Sequence, residues 1–282
     1  MNEIIAPDLL MVKDSALFVI SSRNDTMLYM YSLPTLSLRH KSGTKGQSKD
    51  EFALFPLFCR STSPDLYIWG YTPFTIKRFS LPSGNAPTFI RDYRLPRYES
   101  FNQMHILHDS ILVYSAIPGE FALKKISLNQ GEETGRIGLE TEEHGESFFY
   151  ESRGILAANG RYIVYAYCLK KQIDIYDAST LRLHVRLKDS NAKTLIRLGD
   201  FENTRYYYAH VIAGQEYIYA LCNDLKDGYA LEVFDYEGRS VARYTFDIAP
   251  SLFDIDEKQG IIYGYNDELE DFFLTYPIHT SP

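Results

Sequence analysis

The chain has 282 residues, 45% apolar and 23% charged, so it is globular rather than disordered and long enough for one large domain or two ordinary ones. A net charge of −8 with a pI near 5.4, and no basic run to offset it, argues against a nucleic-acid or anionic-membrane surface. The 23 tyrosines and 17 phenylalanines point to strands, because aromatic rings fit pleated, half-buried surfaces.

The opening residues, MNEIIAPDLLMV, carry Glu3, Pro7 and Asp8 and lack both a basic n-region and an apolar h-region, so they do not read as a signal peptide. No apolar run approaches the roughly 18 residues of a membrane span. The expectation is a soluble chain, cytoplasmic as written, and exported or envelope-located if a leader has been trimmed.

From residue 16 onward one phrase recurs: an apolar strand ending in aromatics, a polar turn, then an alternating strand. The first strands read ALFVISS (16–22), DLYIWGY (65–71), SILVYSA (110–116), RYIVYAY (161–167), EYIYALC (216–222) and GIIYGYN (260–266). Aligning Phe18, Tyr67, Leu112, Ile163, Ile218 and Ile262 spaces the copies by 49, 45, 51, 55 and 44 residues. The partners are MLYMYSL (27–33), FTIKRFSL (74–81), FALKKISL (121–128), QIDIYDA (172–178), YALEVFDYEG (229–238) and DFFLTYPI (271–278). Several alternate apolar and polar residues with the strand period of two. A further strand often follows, as in LRLHVRL (181–187) and SVARYTF (240–246), and one precedes, as in LFDID (252–256). Pro82-Ser83-Gly84 and Asp227-Gly228 supply turn chemistry.

Four strands every 44–55 residues, six times, predict an all-β protein, a six-bladed β-propeller. It would be one domain over 1–282, with blades at about 8–42, 53–95, 101–138, 153–188, 205–247 and 251–278. Blades stacked face to face bury both surfaces of each sheet, and large aromatics fill the wedge between them. The last unit stops after its third strand, and residues 2–6 are expected to supply the fourth by pairing with 271–278.

Cys59, Cys168 and Cys222 sit in apolar runs with no CxxC or Cys/His spacing, and read as buried free thiols, with a Cys168–Cys222 disulfide as the alternative. His105 and His108 share a strand-like segment, where odd spacing puts them on opposite faces rather than on one metal. Trp69 reads as blade core.

Residues 43–52, GTKGQSKDEF, look at first like a phosphate loop. A P-loop needs Lys followed by Ser or Thr and then a helix, whereas Lys49 precedes Asp50 and no helix is expected. Gly43, Gly46, Glu51 and Phe52 instead match the pattern G-x-x-G-x-x-x-x-E-F. On that pattern the chain resembles the TolB-like six-bladed β-propeller family, with NHL-repeat propellers as more distant relatives. Ser48-Lys49-Asp50 replaces the family's usual Gly-Pro-Gly before the glutamate. The C-terminal third, EYIYALCNDLKDGYALEVFDYEGRSVARYTFD and then DEKQGIIYGY, is similar to the last two blades of the same family. The resemblance implies the fold and little about function, because many members are uncharacterised.

Glu51-Phe52, Glu99-Ser100-Phe101, Glu146-Ser147-Phe148 and a degenerate Glu202-Asn203-Thr204 recur at spacings of 48, 47 and 56, the blade period. Two readings stay open for them. Each glutamate holds its own loop by accepting backbone N–H bonds, or Glu51, Glu99 and Glu146 converge at a channel mouth and bind Ca²⁺ or a cationic ligand. The long connections at 93–102, 138–153 and 189–207 carry Arg97, Tyr98, His144, Tyr150, Arg153, Arg205 and Tyr206. Loops on a rigid scaffold are where function concentrates, and mixed Tyr and Arg suit sugars or carboxylated ligands.

No GxSxG elbow or other catalytic motif is present. The leading expectation is a non-enzymatic binding or scaffold module, free of cofactors, whose partner is a glycan, a peptide or a protein. The alternative is a Ca²⁺-dependent hydrolase of the lactonase type. Fold alone does not choose between them.

Overall fold

The computed structural model describes the chain apart from residues 1–3, 53, 71–73, 83–85, 97–100, 118–119, 140–146, 193–194, 196–199, 201–202, 225–227, 270–271 and 279–282. In chain order the strands are β1 (Leu9–Lys13), β2 (Ala16–Ile20), β3 (Thr26–Ser32), β4 (Ser37–Lys45) and the two-residue β5 (Glu51–Phe52). Then come β6 (Leu57–Ser61), β7 (Leu66–Gly70), β8 (Thr75–Ser80), β9 (Thr88–Arg94), β10 (Asn102–Leu107), β11 (Ile111–Ser115), β12 (Ala122–Ser127) and β13 (Glu133–Gly138). A short helix, α1 (Ser147–Ser152), precedes β14 (Gly154–Ala158), β15 (Tyr162–Tyr167), β16 (Gln172–Asp177) and β17 (Leu183–Lys188). The last are β18 (Tyr208–Ala213), β19 (Tyr217–Asp224), β20 (Gly228–Asp235), β21 (Ser240–Thr245), β22 (Leu252–Asp256), β23 (Ile261–Tyr265) and β24 (Phe273–Pro277).

The chain divides into two compact units. The first takes residues 1–97, 128–131 and 250–280, and so holds β1–β9 and β22–β24. The second takes 98–127, 132–249 and 281–282, and holds β10–β21 with α1. Within each unit the strands run as antiparallel meanders, for example β1-β2-β3-β4, β14-β15-β16-β17 and β18-β19-β20-β21. The recurring apolar phrase forms the second strand of each meander, and its alternating partner the third.

Five meanders carry the same irregularity, a register shift between third and fourth strands, at Met30/Tyr31, Arg78/Phe79, Lys125/Ile126, Ile175/Tyr176 and Val233/Phe234. A bulge there adds twist at the outer strand. Second strands are buried on both faces, as in YIVYAY of β15, whereas fourth strands such as LHVRLK of β17 are largely exposed. Continuous apolar runs therefore mark strands sandwiched between sheets, and charged alternation marks outer edges.

Strand periodicity sends alternate residues to opposite neighbours. In the first unit Phe18 and Ile20 join Leu66, Ile68 and Phe79, while Leu17 and Val19 join Tyr29, Tyr263 and Tyr265. In the second unit Ile163 and Tyr165 pack with Leu107, Val113 and Leu123, while Val164 and Ala166 pack with Val211, Ile218 and Ala220. Tyr67, Tyr114, Tyr165 and Trp69 are among the largest fully buried side chains, which accounts for the aromatic content. Trp69 is core, as expected.

Three expectations differ from the structure. Of the segment expected to close the last unit only Ile4–Ala6 are described; they lie outside any strand, and among the described residues β24 pairs with β23 alone. The Ile5 N–H donates to Asn24 Oδ1 at 3.0 Å, and the Ala6 carbonyl accepts the Ser21 hydroxyl at 2.6 Å. Two short polar side chains in the β2–β3 turn thus take the backbone groups a strand would need, and Pro7 has no N–H to offer. Second, residues 147–152 form a helix inside what reads as a loop. Third, Cys59 and Cys222 are buried, but Cys168 is only partly so; all three thiols are free. Among the described residues no helix is long and apolar enough to cross a membrane.

Candidate functional site

GTKGQSKDEF folds back on itself in the first unit. β5 pairs in parallel with β4, matching Thr44 to Glu51 and Lys45 to Phe52. The Gly46 N–H donates to the Phe52 carbonyl at 3.1 Å. Gly43 has φ +76°, and a Cβ there would lie 2.4 Å from the Phe52 ring. A Cβ on Gly46 would lie 2.0 Å from Glu51 Oε2. The four residues that carry the family resemblance are therefore two contacting pairs, each needing a bare glycine.

Glu51 accepts the Ser48 N–H at 2.9 Å, and hydrogen bonds from Ser48 hold its carboxyl below the ordinary range. Lys77 closes the loop from below, donating to the carbonyls of Ser48 and Glu51 at 2.5 Å and of Lys49 at 3.3 Å. Burial pulls the Lys77 ammonium below the ordinary lysine range, against the charges of Asp92, Asp50 and Glu51. The cavity beside these groups is about 170 Å³, small against the roughly 300–1,000 Å³ of ligand sites. Glu51 here performs the loop-holding role.

Arg97, Tyr98, Glu99, His144 and Glu146 lie outside the described residues, as does Glu202. Among the described residues no three His, Cys, Asp or Glu side chains gather as a metal site. His105 Nε2 meets the Leu156 carbonyl at 3.0 Å and His108 Nε2 the Gly160 carbonyl at 3.1 Å, so each ring is engaged by backbone. The most buried carboxylate in the second unit, Asp174, is saturated: Arg186 grips both oxygens at 2.8 and 2.9 Å, and Tyr167, Tyr176 and Gln172 donate at 3.2, 3.1 and 3.0 Å. That network has no capacity left for a ligand.

The remaining sequence-predicted residues, Tyr150, Arg153, Arg205 and Tyr206, all belong to the second unit, and, among the described residues, only Arg153 of these lines a cavity there. The α1 residue Tyr150 offers its carbonyl to the Arg153 N–H at 3.2 Å, which turns the chain into β14. The Cys168 N–H donates to the Arg153 carbonyl at 2.9 Å, and the Cys168 carbonyl accepts the Tyr207 N–H at 2.7 Å. Cys168 thus joins the connection bearing Arg153 to the one bearing Arg205 and Tyr206. The Arg205 guanidinium lies over the Tyr207 ring at 4.6 Å.

A cavity of about 320 Å³ with mixed polar and apolar walls opens here, its lining including Asn102, Gln103, Ser115, Ile117, Arg153 and Cys168, with Tyr165 beside them. A bulge in β10, between Asn102 and His105, shapes one wall and leaves Gln103 at φ +49°. The Gln103 amide then bridges β10 to β14, donating to the Gly154 carbonyl at 3.2 Å and accepting the Leu156 N–H at 2.8 Å. Tyr165 donates to the Ser152 carbonyl at 2.6 Å, and burial pushes its phenol far above the ordinary range. Burial also raises the Cys168 thiol, and the nearby Arg153 charge opposes this without cancelling it. A neutral thiol is a poor nucleophile.

Nearby cations are paired: Lys170 with Glu151 at 3.1 Å and Lys171 with Glu232 at 2.9 Å. Arg153 is different. Its guanidinium is exposed and makes no hydrogen bond or ion pair among the described residues. Sequence reasoning reached Arg153 but missed Asn102, Gln103, Ser115, Tyr165 and Cys168, which come from three separate strand ends and carry no motif.

No family model matches the chain, and no curated protein sequence matches it. Solved structures do. A putative exported protein of Bacteroides fragilis is 13% identical, with a TM-score of 0.61 over 94% of this chain and 85% of its own. The Cps50 (Swd1) β-propeller domain of Myceliophteria thermophila is 12% identical, with a TM-score of 0.51 over 97% of this chain and 98% of its own. At these identities the likeness shows fold alone, and the fold is a β-propeller.

Proposed function

We propose that the chain is a six-bladed β-propeller, one domain over 1–282, that acts as a binding or scaffold module through the loops around Arg153. Six meanders, five with the same outer-strand bulge, support the blade count. Gly43, Gly46, Glu51 and Phe52 support kinship with TolB-like propellers. The observation that carries the binding reading is the cavity whose lining includes Arg153, a guanidinium that makes no hydrogen bond or ion pair among the described residues.

The test is a thermal-shift series on the whole chain with sugars, peptides and lactones, each with Ca²⁺ or EDTA. A ligand at 100 times its Kd adds about 2.7 kcal/mol and moves the melt by several degrees. A shift from a sugar or peptide, lost in Arg153→Ala, supports the module. Turnover of a lactone that stops with EDTA and with Glu51→Gln overturns it in favour of the Ca²⁺-dependent hydrolase, with Glu51, Glu99 and Glu146 as ligands.

A further inference from the structure

We infer that one end of the first unit is a docking face for a basic amphipathic helix of a partner protein. Two pairs of exposed apolar side chains hold it, Ile5 with Phe272 and Leu54 with Phe55. These residues belong to the first unit and Arg153 to the second, so the inference stands or falls without the reading above.

Strand direction gathers the four residues at one end. The Lys13 ammonium donates to the Ser61 and Ser63 carbonyls at 3.3 and 2.5 Å, so β1 and β6 finish together and therefore start together. Ile5 precedes β1, and Leu54 and Phe55 precede β6. The β22–β24 meander repeats the same strand order, and radial repetition sets each meander of a propeller the same way up, which brings Phe272, just before β24, to that end as well. Ile4 and Phe273 pack in the cluster on one face of β2, and Phe52 and Phe58 in the cluster on the other. The two apolar pairs therefore emerge from the wedges on either side of the first meander, about 10 Å apart, the spacing of packed sheets.

Ile5, Leu54, Phe55 and Phe272 keep 62%, 56%, 63% and 65% of their surface in water. Phe55 also stands at φ +33°, a region bulky residues avoid, and no burial of its ring offsets that cost. Two phenylalanines this exposed leave on the order of 200–300 Å² in water. With Ile5 and Leu54 the total reaches the size of an apolar patch that is often functional, and stays below the roughly 800 Å² that each partner gives a stable dimer.

Charge selects the occupant. In the described connections around Ile5 and Phe272, Asp8, Asp25, Asp267 and Glu268 are exposed against one cation, Arg23. Beside Leu54 and Phe55, Lys49 and Asp50 pair with each other at 4.0 Å. A second copy offering the same face would set acids against acids, and an anionic bilayer would be repelled as well. A segment rich in Lys or Arg is attracted. A helix supplies the span: anchors at i and i+7 lie about 10.5 Å apart along its axis, which matches the separation of the two wedges. The experiment measures binding of fluorescent synthetic peptides to the whole chain by anisotropy. One is an amphipathic helix with Leu at i, i+3 and i+7 and Lys beside them, one its Glu counterpart, and one a Lys peptide whose Leu residues are confined to a single turn.

The first Lys peptide is expected to bind best. Leu54→Ser/Phe55→Ser and Phe272→Ser should each weaken it by about tenfold or more while melting like the parent, because the side chains they remove are exposed. Asp267→Asn/Glu268→Gln should weaken it at low salt and not at high salt. Leu183→Ser, which removes an exposed apolar residue of the second unit, should change nothing. No binding of the Lys peptide, equal binding of the Glu or single-turn peptide, or indifference to both apolar variants overturns the proposal. A dimer in sedimentation that dissociates with Leu54→Ser/Phe55→Ser makes the occupant a second copy. Flotation with phosphatidylglycerol vesicles that is lost in the same variant makes it a lipid surface. Either result overturns the proposal.

Discussion

Replacing Arg186 by Met should destabilise the second unit more than any surface change nearby. The Asp174 carboxylate is fully buried, while the Arg186 side chain keeps 34% of its surface. Removing the guanidinium strips two charge-assisted bonds, at 2.8 and 2.9 Å, from a carboxylate that cannot reach water. Three neutral donors, Tyr167, Tyr176 and Gln172, remain. Breaking a buried pair from one side typically costs about 3–5 kcal/mol. At roughly 2–4 °C per kcal/mol for a unit of this size, the melt should fall by about 6–20 °C. The second step is diagnostic. Adding Asp174→Asn to Arg186→Met removes the stranded charge and keeps an acceptor for the two tyrosine hydroxyls. The double variant should therefore melt higher than Arg186→Met alone, a non-additivity expected only of residues in one network. Urea unfolding and differential scanning calorimetry measure both. A single variant within about 2 °C of the parent, or a double variant less stable than the single, refutes the reasoning.

Gly46→Ala places a Cβ 2.0 Å from Glu51 Oε2, so it should expel the carboxylate and cost about 1–3 kcal/mol in denaturant unfolding, whereas Gly138→Ala, with open space around its Cβ and no positive φ, should cost less. Glu51 has a folded pKa below its ordinary 4.5, so its stabilisation is present above that value and is lost as pH falls through the folded pKa; Glu51→Gln should flatten the acid limb of the stability profile, and an unchanged limb would contradict the Ser48 bonds. Lys77→Met leaves the carbonyls of Ser48, Lys49 and Glu51 without their ammonium and should open the loop to protease ahead of global unfolding. Maleimide should modify Cys168 first and leave the buried Cys59, whose thiol burial pushes far up, untouched in the native chain.

The repeat was legible because its cause is local. A strand buried on both faces must be apolar at every position, and an outer strand must alternate, so β2, β15 and β19 read as runs and β17 and β21 as charged alternation. α1 was not legible: SFFYES is too short to show a helical period, and three aromatics favour strands. The cavity was half legible. Arg153 stands in a long connection, which flags it, but Asn102, Ser115, Tyr165 and Cys168 look like any strand ends until the meanders stack.

The sequence by itself determined the repeating strand pattern, the meander order and the aromatic wedge, since each follows from which residues can face water along one strand. Only the tertiary structure decided where backbone groups without a strand partner go. Ile5 and Ala6 turn to Asn24 and Ser21 rather than to β24, and Glu51 turns to Ser48 rather than outward. These choices depend on distances between segments far apart in the chain, on Gly43 and Gly46 leaving room for Phe52 and Glu51, and on a bulge that turns Gln103 toward the next meander. Period-two patterning carries no information about any of them.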